Sequence, residues 1–223
     1  MAIYCEMSKA PNIRDLIQKD TYEMIIWRLM NESNKVFPSK YKYIEKQSHS
    51  ECDFIDIVSE QKYDAKVLFS EQQCKILAKG NGIEHLQEWY KSVNDELDEA
   101  SNNMMRRNLA GIRKTILYKE FHRRLESVSD DEEAILFIPF LIVPESKNSI
   151  FMQFASDIVS TTYDSIVEDY PEKLKDKNTF IIYPSVIDQK VVLRNLTSSI
   201  KEYLPIKLLS PYITFTLKDY PDA

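Results

Sequence analysis

Two short stretches, Asp53-Phe-Ile-Asp-Ile-Val58 and Tyr63-Asp-Ala-Lys-Val-Leu-Phe69, constrain this chain more than any other part of it. Both are rich in β-branched and aromatic residues and too short for stable helices. The polar Ser59-Glu-Gln-Lys62 between them reads as a turn, so the segment 53–69 is expected to be a hairpin. Side chains alternate along a strand, which puts Asp64, Lys66 and Leu68 on one face. An even loop centred on residues 59–62 sets Ile57 opposite Asp64 and Ile55 opposite Lys66. Asp53 then shares the face of Asp64 and Lys66, and Asp56 points the other way. In that register Asp53 lies four residues along from the point opposite Asp64, roughly 13 Å at ~3.3 Å per residue. A bulge or strong twist is needed to join them, and Asp56 stands as the alternative to Asp53.

Around the hairpin the pattern is that of an α/β protein. Residues 12–33 have apolar positions at helical spacing, from Ile13 to Met30, with Asn12 as a cap. Strands are expected at 41–46, 133–143, 178–186, 191–196 and 211–217. Helices are expected at 149–170, ended by Pro171, and at 198–204. A long helical region spans about 83–127 and divides near Gly111. With no repeat and no linker, the chain reads as a single domain, residues 1–223. Its motif core is 20–90, its helical insertion 83–127, and its α/β completion 133–223, all arranged as a central mixed sheet flanked by helices.

Composition narrows the function. Only three glycines occur, and neither GxGxxG nor GxxxxGK[ST] is found, so Gly-rich phosphate loops are nearly excluded. The net charge of −6 argues against a simple polycationic nucleic-acid binder but leaves room for a local basic surface. Cys5, Cys52 and Cys74 form no CxxC and no zinc spacing, which fits a reducing cytoplasm. The N-terminus lacks a signal-peptide pattern, and the apolar run Ala134–Val143 is too short to span a bilayer, so no membrane partner is expected.

Two carboxylates and a lysine on a mostly apolar strand pair are costly to bury without a role. A divalent cation relieves the repulsion between carboxylates, and Mg²⁺ suits oxygen ligands while keeping several waters. Such an ion lowers the pKa of bound water, and Lys66 stands ready to orient or deprotonate that water or to stabilise developing charge. Cys-Asp53-Phe-Ile-Asp-Ile-Val followed by Tyr-Asp64-Ala-Lys66-Val-Leu-Phe resembles the PD-(D/E)xK, or restriction-endonuclease-like, nuclease superfamily over about residues 20–90. Cys52 stands where that motif has Pro, and Asp64 replaces the commoner Glu.

The resemblance implies a Mg²⁺-dependent DNA endonuclease, with Mn²⁺ as a substitute ion. Asp53 and Asp64 would bind the metal and Lys66 would be the catalytic lysine. It also implies a glutamate on the first helix as an added ligand, for which Glu23 is chosen over Glu32, and a glutamine after the third strand, Gln72 or Gln73. Restriction or another prokaryotic defence is the implied setting, with DNA as partner and a homodimer or a protein of a defence complex as further partners. The alternative is a catalytically silent subunit acting as an interaction module.

Elsewhere, Arg106, Arg107, Arg113, Lys114, Lys119, Arg123 and Arg124 make a basic stretch opposed only by Glu120. It suits either a DNA backbone or a solvated face paired with Asp95, Glu96, Asp98 and Glu99. His49, His85 and His122 show no ligand pattern. Phe137, Phe140, Tyr163, Phe180 and Tyr183 are most simply core.

Overall fold

The computed structural model describes residues 3–5, 19–45, 52–68, 75–76, 88, 91–92, 95–96, 99–100, 102–104, 106, 108–138, 154–174, 177–185, 190–209 and 217–219. Its elements run β1 (Ile3–Cys5), α1 (Lys19–Glu32), β2 (Tyr41–Tyr43), β3 (Phe54–Asp56), β4 (Lys62–Val67), α2 (Leu109–Ile112), α3 (Ile116–Glu126), β5 (Glu132–Phe137), α4 (Phe154–Asp169), α5 (Pro171–Leu174), β6 (Thr179–Ser185), β7 (Lys190–Asn195), β8 (Lys201–Pro205), a 3₁₀ turn (Ile206–Leu209) and β9 (Leu217–Asp219). Seven strands form one sheet in the order β2-β3-β4-β5-β6-β7-β8, and β1 pairs with β9 separately. β4, β5 and β6 are parallel and the remaining pairs antiparallel, so the sheet is mixed and helices lie on both of its faces. Among the described residues no helix is long and apolar enough to cross a membrane.

Strand alternation divides the core in two. Tyr63, Ala65, Val67, Ile135, Phe137, Phe180, Ile182, Val191 and Leu193 point to one face and pack under Ile25, Ile26, Leu29 and Met30 of α1. Ala134, Leu136, Ile181, Tyr183 and Val192 point to the other, under α3 and α4. β5 and β6 are apolar on both faces because helices cover both, as central parallel strands require. Each large apolar side chain so buried contributes about 1.5–3 kcal/mol.

The helical segment does divide near Gly111. The chain turns at Arg113–Thr115, and the Thr115 hydroxyl accepts the Tyr118 amide at 3.1 Å to cap α3. α4 stops before Pro171 as expected, although Pro171 then opens the short α5, since proline is tolerated in a first turn.

Two expectations are corrected. Residues 198–204 are not helical: Lys201–Pro205 is an edge strand, with Glu202 and Leu204 turned inward and Tyr203 and Pro205 outward. Its pairing with β7 overrides the local helical pattern. β1 pairs with β9 apart from the main sheet, and the expected strand 211–217 lies outside the described residues except for Leu217. The hairpin register also differs from expectation. Phe54 faces Tyr63 and Ile55 faces Lys62, so the turn occupies Ile57–Glu60 rather than 59–62. Ile57 and Val58 are therefore 62% and 81% exposed at its tip instead of extending a strand.

Candidate metal and catalytic site

The hairpin turns early because of Asp56. Its Oδ1 accepts the amides of Val58 at 2.8 Å and Ser59 at 3.3 Å, and the Ser39 hydroxyl at 2.6 Å. An aspartate that binds the backbone two and three residues on competes with strand extension and starts a turn. Glu60 completes it with φ of 60°, in the left-handed region. Burial works to raise the Asp56 carboxyl, but these hydrogen bonds outweigh it and hold it below the ordinary carboxylate range. Asp56 is thus a turn residue committed to its own backbone.

Moving the turn by two residues changes the partner of Asp64. The Asp53 and Asp64 carboxyls come within hydrogen-bonding reach of each other, and the 13 Å separation disappears. A bulge is present as well. The Asp53 amide donates to Tyr63 O at 2.9 Å although Phe54 already faces Tyr63, so two residues stand against one. The interrupted ladder leaves the Ala65 amide to the Asp53 carboxylate, whose Oδ2 accepts it at 2.6 Å. On the other side Asp53 O accepts the Ile44 amide at 2.9 Å. Asp53 is fully buried and pinned from both neighbouring strands.

Asp64 is buried too. Its Oδ2 pairs with Lys66 Nζ at 2.5 Å, and its Oδ1 is buried without a hydrogen-bond donor. Burial first, and the adjacent Asp53 carboxyl second, push the Asp64 carboxyl up to about 7, against the opposing pull of Lys66. The Lys66 side chain is 21% exposed and that of Asp64 only 6%, so the lysine stands between the carboxylate and solvent.

Glu23 lies in α1 at 1% exposure, and its Oε2 accepts the Tyr43 hydroxyl at 2.9 Å. The Tyr22 hydroxyl is raised by burial and by the charges of Glu23, Asp53 and Asp64, with Arg124 opposing. All three carboxylates therefore act on one neighbourhood. Among the described residues, however, no three His, Cys, Asp or Glu side chains are grouped so as to enclose a metal ion. Glu32 is exposed, nine residues further along α1, or about 13 Å at 1.5 Å per residue. Gln72 and Gln73 lie outside the described residues.

Tyr22, Tyr43 and Arg124 were not singled out for this site from the sequence. Tyr43 carried a faint signal, as an aromatic on a strand beside the motif; Arg124 was one cation in a run. The rest of that run does not pair with residues 95–99 among the described residues. Arg113 binds Asp169 at 2.7 Å and Glu168 at 3.5 Å on α4, and Arg123 binds Glu120 at 2.6 Å. Arg107, Asp98, His49, His85, Cys74 and Phe140 lie outside the described residues. His122 stacks on Tyr170 with ring centroids 4.0 Å apart, an ordinary packing role.

Together the site offers two adjacent buried carboxylates, one with an oxygen lacking a donor, and an ammonium facing solvent. The donor set suits a hard divalent cation: oxygen atoms only, with repulsion that a cation would relieve. No known protein family, curated protein or solved structure matches the chain.

Proposed function

We propose that the chain is a Mg²⁺-dependent DNA endonuclease that hydrolyses phosphodiester bonds, in restriction or a related defence against foreign DNA. The single observation that carries this reading is the adjacency of Asp53 and Asp64 with Lys66 at 2.5 Å from Asp64, achieved by a bulged hairpin. Asp53 and Asp64 would hold the ion, with Glu23 as the added ligand that the resemblance implies. Bound there, Mg²⁺ would supply an acidified water and neutralise phosphate charge.

The chain's own residues do the remainder. Asp53 is oriented by the Ala65 amide, so its second oxygen has a fixed direction. Asp64 holds Lys66 Nζ at the rim. As an ammonium, that group can donate a hydrogen bond to the phosphate oxygen on which charge develops. The test is incubation of purified protein with plasmid DNA and Mg²⁺ or Mn²⁺. Cleavage by the wild type and its loss in Lys66→Ala are expected. No cleavage across a wide range of conditions, or equal cleavage by the variant, overturns the reading.

A second reading is favoured by one observation, the lack of a three-residue ligand group among the described residues. The chain would then be a silent nuclease-like module in a larger assembly. Calorimetric titration of Mn²⁺ separates the two: a silent module has no site that vanishes in Asp64→Ala.

A further inference from the structure

At the far edge of the sheet from the hairpin, Tyr203 of β8 is 44% exposed. The ammonium groups of Lys190 and Lys201 each stand 5.2 Å from its ring centroid. Register explains the grouping. Lys190 faces Pro205, Val192 faces Tyr203 and Arg194 faces Lys201, so alternation sets Lys190, Arg194, Lys201 and Tyr203 on one face. Arg194 Nη2 also donates to Ser160 Oγ of α4 at 3.2 Å.

The same face carries the candidate catalytic lysine. Lys66 pairs with Leu136, Leu136 with Ile181, Ile181 with Arg194 and Arg194 with Lys201, a single row across five strands. At ~4.8 Å per strand the two ends of the row are roughly 19 Å apart along the sheet. α4 lies over its middle, and solvent is reached at Lys66 and again around Tyr203.

In a chain with a net charge of −6, two ammonium groups on one exposed aromatic ring, with Arg194 on the same face, are a local departure from the average. This combination matches one ligand chemistry. The ammonium groups lie over the ring, on flexible stems; an unpaired base can replace them on the ring face while they swing to the flanking phosphates. A duplex hides its base faces from such a ring.

We infer that Tyr203, Lys190 and Lys201, with Arg194 behind them, form a contact for single-stranded nucleic acid on the same sheet face as the catalytic lysine. The inference rests on the nuclease reading for its substrate class, but it concerns binding alone.

The experiment measures fluorescence anisotropy of a labelled 20-nucleotide oligo-dT in EDTA, so cleavage plays no part. The wild type binds, and Tyr203→Phe binds equally because the ring is kept. Tyr203→Leu weakens binding roughly fivefold or more. Lys190→Gln/Lys201→Gln weakens it and makes the salt dependence shallower by roughly 1.4 in log–log slope, at about 0.7 per phosphate contact. Unlabelled oligo-dT competes better than a duplex of equal length. No binding by the wild type, unchanged binding in Tyr203→Leu or in the double lysine variant, or equal competition by duplex overturns the inference. The last group of results would leave Lys190 and Lys201 as a solvated cation–π pair that holds β8. Patch-dependent binding without cleavage would refute the nuclease reading alone, whereas Lys66-dependent cleavage with patch-independent binding would refute this inference alone.

Discussion

Replacing Glu202 by alanine removes an acceptor that fastens the end of α1 to the last strand of the sheet. The Glu202 carboxylate accepts the Ser33 hydroxyl at 2.5 Å and the amides of Asn34, Lys35 and Val36 at 3.0, 3.0 and 3.1 Å. Ser33 in turn accepts the Phe37 amide at 2.9 Å, and Phe37 is fully buried. A hydrogen bond to a charged group contributes about 1.5–3 kcal/mol net. Four do not simply add, because water can reach the exposed turn at Asn34 and Lys35. Only the Ser33 hydroxyl and the Val36 amide are left buried without their acceptor, which gives a loss of about 3 kcal/mol. For a chain of this size that corresponds to a fall in Tm of roughly 6–12 °C.

The loss is also expected to depend on pH. Burial works to raise the Glu202 carboxyl, but its four hydrogen bonds together hold it below the ordinary value. A depressed carboxyl contributes stability that is present above its unfolded pKa, ~4.3, and that is lost as pH falls through the lower folded value. Thermal unfolding followed by circular dichroism at pH 7 and below pH 4 is the assay. Glu202→Gln, which keeps one acceptor oxygen, should fall between wild type and alanine at pH 7 and should approach wild type in acid. A Tm shift below 2 °C for Glu202→Ala, or a gap between wild type and Glu202→Gln that persists undiminished in acid, refutes the reasoning. Because α1 carries Glu23, the same variant tests whether the far edge of the sheet helps to position the candidate site.

Three other outcomes follow from the geometry. Asp53→Asn keeps an oxygen for the Ala65 amide, so its thermal unfolding should stay close to wild type while metal-dependent cleavage falls roughly 10²-fold or more. Asp56→Ala should do the reverse: with the Ser39, Val58 and Ser59 acceptor gone, urea titration should show a loss of about 1–2 kcal/mol, and cleavage at a temperature where the variant is folded should be unchanged. Thr115→Ala removes the cap of α3 and should destabilise by about 1 kcal/mol in the same titration, with Thr115→Ser recovering most of it.

The residues themselves determined a good deal. The two-residue spacing of Asp64 and Lys66 was enough to put both on one strand face, since alternation is a property of the backbone and needs no partner. The apolar runs within 133–143 and 178–186 were legible as strands from their length and their aliphatic and aromatic content. Pro171 and Gly111 marked breaks through local conformational preference. What the residues could not set was register. Ile57 and Val58 have strand-like side chains, and the strand ends before them where Asp56 accepts from Val58, Ser59 and distant Ser39 and Glu60 takes a positive φ. The shift brought Asp53 to Asp64 and removed Asp56 from contention, and part of it depends on a residue from another element. Lys201–Pro205 was misread for the same kind of reason: its strand character comes from pairing with β7 and from Glu202 reaching a turn more than 160 residues away in the chain. Local preference is written in neighbouring residues, whereas register and long-range acceptors are decided only when separate segments meet and their backbone donors must all be satisfied.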